Sequence, residues 1–73
     1  MDEKTRIEKD IILFKENITK LEGEALSVLQ NKTVELAKQY YNDAKYYFEK
    51  EDLFTAFGCI NYAHGLLDSI IKV

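Results

Sequence analysis

Between Tyr40 and Ile70, apolar residues recur at helical spacing on both sides of a polar break, Glu49-Lys50-Glu51-Asp52. A half-buried strand would alternate at every second residue, so the spacing predicts two antiparallel helices joined by a tight turn. Upstream of the break, Val34, Ala37, Tyr40, Tyr41, Ala44, Tyr47 and Phe48 fall within an arc of roughly 120–160°, at about 100° per residue. Downstream, Leu53, Ala56, Phe57, Ile60, Ala63, His64, Leu67, Ile70 and Ile71 span nearly half the helix, with Cys59 and Leu66 at its edge. One partner cannot cover so wide an arc, so this helix is expected to pack against two others and to be the most buried. Asp52 is its natural N-cap, because a carboxylate there accepts from the open N–H groups of the first turn and complements the helix dipole.

The remaining partner is legible upstream. Ile7, Ile11, Phe14, Ile18, Leu21, Ala25 and Val28 step by four and three alternately, the seam of a coiled-coil-like helix. Continuing that seam reaches Lys32, Glu35 and Gln39, whereas the next apolar set begins at Val34, so the phase slips by two residues. A slip of two turns the apolar face by about 200°, which one straight helix cannot bury against one partner. The turn is placed at Gln30 to Thr33, with Asn31 or Thr33 as the next N-cap. A rival boundary runs from Gly23 to Ser27, where Ser27 and Gln30 have capping-box spacing. The expected fold is all-α, a three-helix up-down-up bundle over residues 1–73, with helices at about 4–29, 33–50 and 53–72.

A chain of 73 residues sits near the size at which one core only just offsets chain entropy, so a self-association surface is expected. The single cysteine allows no intrachain disulfide and leaves a Cys/His zinc site short of ligands. No stretch approaches the roughly 20 apolar residues of a membrane span, and the opening MDEKTRIEKD is charged, unlike a signal peptide, so a cytoplasmic protein is expected. A net charge of −3, with Lys and Glu interleaved, argues against a phosphate-backbone binder, which needs a clustered basic face.

Two resemblances bear on the hairpin. Tyr40, Ala44, Tyr47, Ala56, Ile60 and Ala63 fill, in order, the aromatic, small and apolar slots of one tetratricopeptide unit, while Asp43 and Asp68 depart from that pattern. Such repeats need about three copies for stability, so the likeness implies geometry rather than peptide-groove function. The chain from about Ala37 to Asp68 also resembles an archaeal family, domain of unknown function 357. The resemblance is carried by A-x-x-Y at Ala37 and Tyr40, D-A at Asp43 and Ala44, Y-F at Tyr47 and Phe48, D-L-x-x-A from Asp52 to Ala56, and Y-A-x-G-x-L-D from Tyr62 to Asp68. It implies a small helical protein of the archaeal cytosol and brings no established activity. The hairpin further invites comparison with HEPN domains, some of them ribonucleases with Arg and His a few residues apart. Here Arg6 and His64 are the only such residues, and they stand far apart in the chain.

Candidate chemistry is sparse. His64 and Asp68, four apart on one helix, have spacing for a metal or a carboxylate-oriented histidine, but His64 lies in the apolar arc level with Tyr40. A buried histidine bonded to the tyrosine hydroxyl explains it better. Cys59 points about 140° away from His64, so the two form no nucleophile and base pair. Asp43 is expected at the margin of the second helix's apolar face, bonded to Asn61 or Tyr62 across the hairpin. Tyr46 and Tyr62 fall on outer faces, where tyrosines make good interface anchors. Opposite the third helix's apolar arc lie Gly58, Gly65 and Ser69, flanked by Phe54, Asn61 and Tyr62. Two in-line glycines cost about 1 kcal/mol each, a loss that close approach of another backbone would explain.

These residues point to a non-catalytic interaction or assembly module without cofactor, metal, nucleic acid or membrane partner. Its expected partner is a second copy of the chain or an unidentified protein. The rival expectations are an accessory factor in nucleic-acid processing and a small-ligand binder using Asp43, His64 and Asp68.

Overall fold

The phase slip is resolved by a reciprocal cap. In the computed structural model, which describes residues 2–71, the Gln30 N–H donates to Ser27 Oγ at 3.1 Å and the Ser27 N–H donates to Gln30 Oε1 at 3.0 Å. Two otherwise open donors at the helix start are thereby satisfied, which makes Ser27 a stronger initiator than anything at residues 30–33. Helix α1 is therefore Glu3–Leu21 and helix α2 is Val28–Glu49. The boundaries expected at 29 and 33 are both corrected, in favour of the rival boundary. Asn31 and Thr33 sit inside α2, each turning its side chain back to a carbonyl, of Leu26 at 3.3 Å and of Leu29 at 3.2 Å. The seam stops at Leu21: Ala25 is exposed and Val28 is 75% exposed.

Helix α3 is Leu53–Ile71, so its expected end at 72 lies outside the described residues. The α2–α3 turn combines two local devices. Glu51 adopts the left-handed conformation, φ 63°, and its N–H bonds the Phe48 carbonyl while the Asp52 N–H bonds that of Tyr47. This is a Schellman closure with glutamate where glycine is the usual choice. Asp52 then caps α3, accepting from the Thr55 N–H at 3.2 Å. Lys4 reaches Glu51 at 2.8 Å and ties the start of α1 to this turn.

The helices form the up-down-up bundle that the sequence predicts. Contact is most extensive between α2 and α3, and α1 leans more on α3 than on α2. The hairpin is closed by small buried residues, Ala37 and Ala44 against Ala56 and Ala63, which let the two helices approach closely. Helix α1 lays Ile7, Ile11, Phe14, Ile18 and Leu21 over the seam, with Phe14 stacked on Tyr41 at 4.9 Å. Val34, Ile60 and Leu67 complete the core. As expected, α3 packs against both other helices, and its four core residues are at most 1% exposed, while α1 buries five side chains less completely. Phe57 and Ile71, placed in the apolar arc by spacing, are 39% and 50% exposed. A single helix, α1, covers that side of α3 and does not reach far enough round it.

Candidate functional site

The outer face of α3 is turned away from the core, and its Tyr62 edge meets α2. Phe54, Gly58, Asn61, Tyr62, Gly65 and Ser69 are all exposed there, as the spacing predicts. Phe54 is 87% exposed, high for a phenylalanine in a helix. A Cβ placed on Gly58 or Gly65 would meet nothing within 4 Å, so no contact among the described residues requires glycine at either position. Tyr62 is fixed from the side: its ring stacks on Tyr40 of α2 with centroids 4.5 Å apart. Ser69 turns its hydroxyl back to the Leu66 carbonyl at 2.7 Å.

The two polar residues expected to be buried are placed differently. His64 is half-buried, and its partner is the Asp10 backbone carbonyl at 2.8 Å rather than the Tyr40 hydroxyl. Since a carbonyl only accepts, Nε2 carries the proton, and the ring stands edge-on to Phe14 at 5.6 Å. The expected pairing had the right height and the wrong side. Tyr40 meets α3 at Tyr62, and His64, two residues on, lies about 200° round the helix, facing α1. Asp43 is exposed on α2 and needs no donor across the hairpin. It acts electrostatically on Cys59, whose thiol is pushed above its ordinary value first by burial and then by Asp43 and Asp52. A thiol held in that form is a poor nucleophile.

His64, Asp43 and Asp68 do not converge. His64 turns to α1, whereas Asp43 is exposed on α2 and Asp68 is exposed one turn beyond His64. Among the described residues no group of three His, Cys, Asp or Glu side chains could hold a metal ion. No helix among them is long and apolar enough to cross a membrane.

A second surface gathers around Ile12, which with Leu13 lies off the seam of α1 and is exposed, in position to meet another chain. Ile11, Ile12, Lys15, Thr19 and Tyr41 line an open groove of about 500 Å³ between α1 and α2. Ile12, off the seam, is 54% exposed there, on the side where α1 packs less extensively on α2 than it does on α3. On α2, Leu29 and Leu36 stand one above the other at 75% and 40% exposure, outside the core phase.

Comparison with known proteins bears on family membership. No curated protein matches the chain. A family model described as a protein of unknown function, DUF357, matches residues 9–73, taking in most of α1 and all of the hairpin. With nearly its whole length matched, the chain belongs to the DUF357 family.

Proposed function

We propose that this protein is a non-catalytic interaction or assembly module that docks through the outer face of α3, with a second copy of the chain as its first partner. The observation that carries the reading is the pair of helical glycines, Gly58 and Gly65, with open space where each Cβ would be. Each costs about 1 kcal/mol relative to alanine, a loss that matters in a marginal domain and brings no benefit within the monomer. A helix from another chain could approach closely along that line, with Phe54 and Tyr62 supplying buried area on either side. Twofold pairing needs only one self-complementary patch, which makes it the simplest occupant. An unidentified protein filling the same groove is the alternative partner. The interleaved surface charges favour a protein over a nucleic acid in either case. Placement in an archaeal cytoplasm belongs to the same proposal and rests on the family resemblance.

Sedimentation of the wild type and of Gly65→Leu tests the pairing. A concentration-dependent dimer abolished by the substitution, with helical content retained, is the expected result. A wild type that stays monomeric at high concentration overturns self-association.

A further inference from the structure

We draw no further inference here: the strongest candidate, the open groove between α1 and α2 walled by Ile11, Ile12 and Tyr41, carries nothing because Lys15, Glu16 and Lys20 mix both charges along its lining and nothing in the structure shows what covers it.

Discussion

The two sides of α3 are built from the same helix and obey opposite rules. Toward the bundle, Ala56, Ile60, Ala63 and Leu67 are at most 1% exposed and alternate small with large, so volume is matched across the seam. Toward solvent, Phe54 stands nearly free and Gly58 and Gly65 leave space unfilled. Substitution should therefore damage the first side and improve the second, unless the second side has work to do. That asymmetry can be broken experimentally.

The largest effect belongs to the inner side. Leu67→Ala should cost about 2–5 kcal/mol in chemical denaturation, because the side chain is almost wholly buried and its removal leaves a cavity in the core. Phe57→Ala, at the rim and 39% exposed, should cost clearly less. Equal losses at the two positions would mean that the arc extends further round α3 than the burial pattern indicates.

On the outer side, Gly58→Ala and Gly65→Ala should each raise stability by up to about 1 kcal/mol through helix propensity, since the added methyl meets no atom. The informative result is what association does at the same time. Stabilised variants that still pair, or a wild type and variants that never pair with anything, would reduce this face to an exposed and unoptimised surface.

The connections differ from each other as the faces do, and they show what was legible in the chain. Asp52 announces the second turn because one carboxylate both ends the polar break and caps α3, so spacing and chemistry agree there. At the first connection they disagree. Ala25 and Val28 extend the seam of α1 on paper, while Ser27 and Gln30 encode a helix start. Periodicity records where an apolar side chain would point if the helix continued, and it carries no information on whether it does. The capping residues do carry that information. Ser27→Ala should accordingly cost about 1 kcal/mol, read by thermal unfolding, and an unchanged midpoint would show that the loop sets the boundary without its cap. His64 marks a different limit. Its position in the apolar arc was readable, but its partner is a main-chain carbonyl on α1, and side-chain patterns do not report carbonyls. The glycine line, by contrast, was found by spacing and residue type, since intrinsic helix propensity can be read from the sequence.

The smallest effect concerns the far end of α1, where Asp2 caps the helix by accepting the Thr5 N–H at 2.7 Å. Hydrogen bonding from Thr5, its side chain first and its backbone second, holds this carboxyl below the ordinary aspartate range, with the charge of Lys4 adding a little. The sign follows from linkage: a group whose folded pKa is depressed stabilises the fold above its unfolded value, near about 4, and that contribution fades as pH falls through the folded value. Asp2 is fully exposed, so solvent and salt screen the gain and its loss should appear as fraying of the first turn rather than as unfolding. Asp2→Asn keeps a side chain that caps about as well and removes the titration. Circular dichroism at 222 nm from pH 5 to pH 2 should then show a shallower acid loss of helix in the variant than in the wild type, by an amount that shrinks with added salt. Parallel curves would mean that Asp2 acts as a hydrogen-bond acceptor alone and that its charge contributes nothing to holding α1 on the hairpin.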